Sequence, residues 1–167
     1  MILQIKIPRN LYEETRLGLL KPHAFAYERI GFLKCKIANV KDNLLIMPYK
    51  FLEVDDGDYI RDRGVGAKIS SHAIRKILQE TLDSKDSILH VHIHSFPGKP
   101  SLSFTDKESL KTLVPSFQNV LPNKPHGFLL LSDDDVSARV ILPNGKKFTV
   151  VDKISIVGFP LVNFYER

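Results

Sequence analysis

The spacing of apolar residues changes period several times along this chain, and each change marks an element. Leu3, Ile5 and Ile7 alternate with Gln4 and Lys6, which predicts a strand over residues 2–7. Asn10 followed by Glu13 reads as a helix cap, with Leu11, Leu17 and Leu20 on one face and Pro22 as the stop. Residues 28–38 and 43–54 read as two strands joined at Lys41-Asp42-Asn43, a hairpin. Residues 55–69 are acidic and then glycine-rich, the pattern of a partly mobile loop. Ser70 and Ser71 open a second helix with Ala73, Ile74, Ile77, Leu78 and Leu82 on one side. Period two returns over 88–94, a loop with two prolines and a glycine fills 95–103, and a short helix follows over 105–113. Residues 128–131, 137–142, 147–151 and 154–157 then read as strands, with Asn144-Gly145 the strongest turn signal. Strands interspersed with helices, without repeat or linker, predict one α/β domain over 1–167, a mixed sheet flanked by helices.

Composition narrows the class. Hydrophobic residues make up 43% and charged residues 26%, which is globular rather than disordered. The net charge of +5 and pI of about 9.3 raise a nucleic-acid partner. The basic residues are scattered, however, and no aromatic interleaving accompanies Lys146-Lys147 or the Arg61/Arg63 pair, so a mixed solvated surface is the better reading. Cys35 is the sole cysteine, which excludes an internal disulfide and a cysteine-based zinc site. It reads as a small buried hydrophobe in an apolar strand. The start of the chain does not resemble a signal peptide, and no stretch is long and apolar enough for a membrane span, so a cytoplasmic protein is expected.

The chemistry concentrates in His90-Val91-His92-Ile93-His94. Alternation in a strand puts the three imidazoles on one face and Leu89, Val91 and Ile93 on the other, the core side. Imidazoles at i and i+2 can converge on one ion, and Asp106 arrives twelve residues later to add a carboxylate. Two histidines and a carboxylate leave a fourth position of a tetrahedral zinc ion for water, the arrangement of a catalytic site. Ser103-x-x-Asp106 is also a capping box at the start of the short helix, and capping and ligation are compatible within one turn. Glu53, Asp55 and Asp56 are other carboxylates in the region, without a histidine-linked pattern. His23, His72 and His126 stand alone and read as loop, helix and strand-edge residues.

His92-x-His94, a Pro/Gly loop and Ser103-x-x-Asp106 together resemble the JAMM motif of MPN-domain (JAB-like) zinc peptidases. Tyr27-Glu28-Arg29-Ile30-Gly31-Phe32-Leu33 is similar to the glutamate segment that precedes that motif, and the segments beginning at His126 and Ile154 resemble the family's later strands. The chain departs from the pattern at three points. Eight residues, 95–102, separate His94 from Ser103 where the family has seven; Ser95 stands at a frequent proline; and Cys35 stands at a glycine.

The resemblance implies an MPN architecture related to the cytidine-deaminase-like fold. It implies Zn2+ held by His92, His94 and Asp106, with Glu28 as general base and Ser103 as oxyanion donor. His90 is then a hydrogen-bonding partner behind the ligands. The implied activity is hydrolysis of isopeptide or peptide bonds at the C-terminus of a ubiquitin-like modifier, as in bacterial deubiquitinase-like members. The modifier's tail would pair with a sheet edge beside the metal, and the 55–69 loop would contribute to recognition. The alternatives are a metallopeptidase for small peptide or amino-acid conjugates and a DNA-associated MPN-like protein.

Overall fold

Strand-period segments supply one mixed sheet, and helix-period segments cover its two faces. The computed structural model describes residues 1–166. The elements run β1 (Ile2–Pro8), α1 (Arg9–Leu19), β2 (Ile30–Val40), β3 (Asn43–Glu53), α2 (Ser71–Ser84), β4 (Ser87–Ile93), α3 (Phe104–Val120), β5 (His126–Leu131), β6 (Val136–Ile141), β7 (Phe148–Val150), β8 (Lys153–Val157) and β9 (Val162–Tyr165). The sheet order is β7-β6-β5-β4-β2-β3-β1-β8-β9. The β1–β3, β1–β8 and β4–β5 pairs are parallel and the others antiparallel. After β7 the chain crosses the sheet: Val151 N–H donates to Ala138 and Asp152 N–H to Leu3, so the sheet curls and β6 approaches β8. Among the described residues, no helix is long and apolar enough to cross a membrane.

On one face α1 buries Leu11 and Leu19 against Leu3, Ile5, Leu33, Leu89 and Val91. The other face packs Phe32 and Ile88 against Ala73 and Ile77 of α2 and Phe117 of α3, and Phe128 and Leu130 against Leu110 and Val114. β4 lies between these layers and is buried along its whole length, which fixes the histidine stretch rigidly. Leu89, Val91 and Ile93 join the α1-side core, as the alternation predicts.

Several expectations need correcting. No side chain caps α1: the helix starts at Arg9 directly from β1, with Pro8 at the cap position, so Asn10 already lies inside the first turn. Its buried face is Leu11, Thr15, Gly18 and Leu19, whereas Leu17 and Leu20 are exposed. The segment 55–69 is tied down by a 3-10 turn at Asp56–Asp58, a Tyr59–Ile69 bridge and an Ile60 N–H bond to Lys68. α3 runs past residue 113 to Val120 despite Pro115, because burial of Val114 and Phe117 outweighs the one hydrogen bond that proline cannot make. β9 is an additional strand, held by its pairing with β8. Cys35 is buried, as expected, and burial pushes its thiol pKa up.

His126 is not a strand-edge residue but is fully buried. Its Nδ1 accepts the Ile88 N–H at 3.1 Å and its Nε2 meets the Leu121 carbonyl at 3.1 Å, which ties β4 to the end of α3. Burial holds its pKa down to about 4 from 6.5. The folded imidazole therefore stays neutral where the unfolded one takes up a proton, so stability falls as pH drops from 6.5 to 4. The expected loss from this group is about 3 kcal/mol. Urea titrations at pH 7 and pH 4.5 check it: His126→Gln should flatten the pH dependence, and an unchanged slope would refute the assignment.

Candidate metal centre

β4 sets His92 facing α3, and the strand ends one residue before His94. The His94 N–H still bonds the Leu131 carbonyl at 2.9 Å, so the ladder to β5 effectively continues and His94 stays on the His92 face. The two rings lie 4.9 Å apart. The loop that follows is pinned to the turn between β5 and β6. Asp133 N–H donates to Phe96, Gly98 N–H donates to Asp134, and the Ser132 hydroxyl donates to Gly98. Gly98 has φ +90°, a left-handed conformation that favours glycine. The loop, one residue longer than the family pattern, thus still delivers Ser103 and Asp106 to the histidines.

Ser103 caps α3 and forms the capping box legible in the sequence. Its Oγ accepts the Asp106 N–H at 3.1 Å, and Asp106 Oδ2 accepts the Ser103 N–H at 2.8 Å. The Ser103 hydroxyl also donates to Oδ2 at 2.6 Å, so its proton is already engaged. With Oδ2 held this way, the carboxylate faces the imidazoles from the first turn of the helix. Burial works to raise the Asp106 pKa, but the bonds from His92 and Ser103 prevail and hold it well below the ordinary carboxylate range.

The separations are those of an ion site. His92 Nε2 lies 3.2 Å from His94 Nε2 and 3.5 Å from Asp106 Oδ1, and His94 Nε2 lies 3.4 Å from Asp106 Oδ2. Donors held at ~2.1 Å by a tetrahedral ion stand about 3.4 Å apart, so this triangle has the right edges. Glu28 Oε1 is 3.9 Å from His94 Nε2, and one ligand atom from each of Glu28, His92, His94 and Asp106 lies within 4.8 Å of the others. These four residues form a cluster able to hold a metal ion. Two imidazole nitrogens with carboxylate oxygens are a donor set that suits a divalent transition metal.

Glu28 is not in a strand, since β2 begins at Ile30. The segment containing it is held by Gly66, whose carbonyl accepts both the Tyr27 and Glu28 N–H groups at 2.9 and 3.1 Å. The Glu28 carboxylate lies directly over Gly66: a Cβ there would stand 2.6 Å from Oε2 and 2.7 Å from Cδ. Gly66 is a site residue that the sequence reading missed, because nothing local links it to a glutamate 38 positions earlier.

His90 lies behind the ligands and makes no hydrogen bond to them. Its ring meets His92 edge to face at 5.2 Å and Phe32 at 5.6 Å, and burial keeps the imidazole neutral. The Nδ1 atoms of both His90 and His92 are buried without a partner. The carboxylates of Asp55 and Asp56 turn to other partners, Lys76 and Arg29 respectively, and Glu53 pairs with Lys21. The cluster sits at the end of β4, an interior strand, while the sheet edges are β7 and β9, so no free sheet edge adjoins it. Val65 and Gly66 line the same cleft as the cluster, which brings the 55–69 segment to the site. In comparisons with known proteins, no family model matches the chain and no curated protein matches it.

Proposed function

We propose that this chain is a zinc-dependent hydrolase of JAMM type with an MPN-like architecture, acting in the cytoplasm on isopeptide or peptide bonds at the C-terminus of a ubiquitin-like modifier. The observation that carries the reading is the triangle of His92, His94 and Asp106, with edges of 3.2–3.5 Å and Glu28 alongside. The motif spacing His92-x-His94 and Ser103-x-x-Asp106, with Glu28 upstream, supports the choice of family.

Zinc held by His92, His94 and Asp106 supplies Lewis acidity and lowers the pKa of a coordinated water from ~16 towards ~7. The protein's own groups do the rest. Glu28 takes the proton from the attacking water at its carboxylate and returns it to the leaving amine. Asp106 stays ionised because Ser103 and His92 hold it so. The Ser103 hydroxyl positions that carboxylate at rest, and it donates to the developing oxyanion once its bond to Oδ2 is exchanged. With no sheet edge at hand, the modifier's tail reaches the site along the 59–69 segment.

The test is zinc analysis together with a panel of ubiquitin-like fusions. Cleavage after the modifier's last residue, stopped by chelation and restored by zinc, is the expected result. Stoichiometric zinc with no cleavage of any fusion would sink the substrate assignment. A finer test addresses Gly66. Gly66→Ala should displace the Glu28 carboxylate and lower turnover about 10- to 100-fold at unchanged zinc content. Turnover equal to wild type would mean that the position of Glu28 does not limit the reaction.

A further inference from the structure

The cleft behind the metal cluster has a wall chemistry that hydrolysis alone leaves unused. It opens at the cluster and continues between α3, the first turn of α2 and the 62–69 segment, enclosing about 1020 Å3. Ile30, Val65, Ile69, Ile74 and Leu113 line it, and each is only half-buried, so their remaining apolar surface is open to an occupant. α3 adds Thr105, Ser109, Thr112 and Ser116, spaced four, three and four residues apart, which places the hydroxyls on one helix face. From Asp106 to Ser116 the helix rises about 15 Å, the span of about four extended residues.

His90 borders the same cleft. It is 5% exposed and its Nδ1 has no partner. A buried polar atom left unsatisfied is costly, and a ligand that supplies the missing hydrogen bond removes that cost. Charged lining residues are confined to the metal cluster and to Asp62, Arg63 and Lys68, of which Asp62 and Lys68 pair with each other.

We propose that this cleft is a substrate subsite for a short, extended, uncharged peptide segment with bulky aliphatic side chains, next to the bond that is cut. Its side chains fill the aliphatic wall, and its backbone meets the hydroxyl row of α3 and the imidazole of His90. A plain hydrocarbon chain would fill the same wall but leave the hydroxyls and His90 without use, which favours the peptide. The assignment rests on the metal-hydrolase reading, because it takes the cluster as the place where the substrate is cut.

The experiment titrates zinc-loaded protein with acetohydroxamate, acetyl-Leu-Leu hydroxamate, acetyl-Asp-Asp hydroxamate and octanohydroxamate, and zinc-free protein with the two matching dipeptide amides. The Leu-Leu hydroxamate should bind at least about 30-fold more tightly than acetohydroxamate or the Asp-Asp compound. Thr112→Phe, which fills the cleft from an exposed helix position, should abolish that advantage while acetohydroxamate binds as before. His90→Phe should weaken the Leu-Leu compound about tenfold and leave octanohydroxamate unaffected. Equal binding of acetohydroxamate and both dipeptide hydroxamates overturns the subsite and leaves the metal centre standing. Octanohydroxamate binding as tightly as the Leu-Leu compound overturns the peptide assignment. If acetohydroxamate fails to bind while the amides still rank Leu-Leu over Asp-Asp, the subsite is supported and the metal-hydrolase reading is what fails.

Discussion

Glu28→Gln is expected to lower turnover about 10²- to 10⁴-fold while zinc content and substrate KM stay close to wild type. The amide keeps the size of the carboxylate and loses its ability to take a proton. Glu28 sits 3.9 Å from His94 Nε2, within reach of a water placed at the open position of the triangle, and is a third exposed. It is therefore available for proton exchange, whereas Asp106 is held by Ser103. Steady-state kinetics on a cleavable fusion, paired with metal analysis of the same preparation, reads both quantities. Full turnover in the variant would remove Glu28 as the base; loss of zinc along with turnover would make it a ligand instead.

Asp106→Ala should abolish zinc retention and with it all activity. It removes the one anionic group of the triangle and half of the capping box at the start of α3. The cap accounts for about 1 kcal/mol of stability, and so the metal-free variant should unfold at slightly lower urea than metal-free wild type. Asp106→Asn separates the two roles. Its side-chain oxygen still accepts the Ser103 N–H, so stability without metal should return to near the wild-type value, while the missing charge keeps zinc affinity low. Dialysis against a zinc buffer and urea titration of both variants provide the check. Wild-type zinc stoichiometry in Asp106→Ala would show that the ion, if any, is held elsewhere.

How far these residues could be read in the chain depended on how local their relations are. His92 and His94 are two residues apart on a strand, and Ser103 and Asp106 span one helical turn, so alternation and capping chemistry expose both pairs directly. Bringing the pairs together needs only one short loop. Glu28 shows no such local signal; the resemblance alone singled it out, and its placement depends on Gly66, far along the chain. The role of His126 was hidden for the same reason, since its partners Ile88 and Leu121 come from two other segments. The error at α1 runs the other way. Asn10 and Glu13 have cap spacing, but β1 runs into the helix without a turn, so the local signal is overruled by where the strand stops. The length of α3 was missed because Pro115 reads as a breaker in isolation, while the burial of Val114 and Phe117 is a property of the assembled layers.

The double duty of the Asp106 carboxylate, closing the first turn of α3 and facing the imidazoles, links ion occupancy to the folding equilibrium. An ion that binds only the native arrangement adds RT ln(1 + [M]/Kd), about 2.7 kcal/mol when it is present at a hundred times its dissociation constant. Heat resistance then becomes a gauge of zinc supply: a scarce ion leaves the first turn of α3 to fray, and a plentiful one locks it.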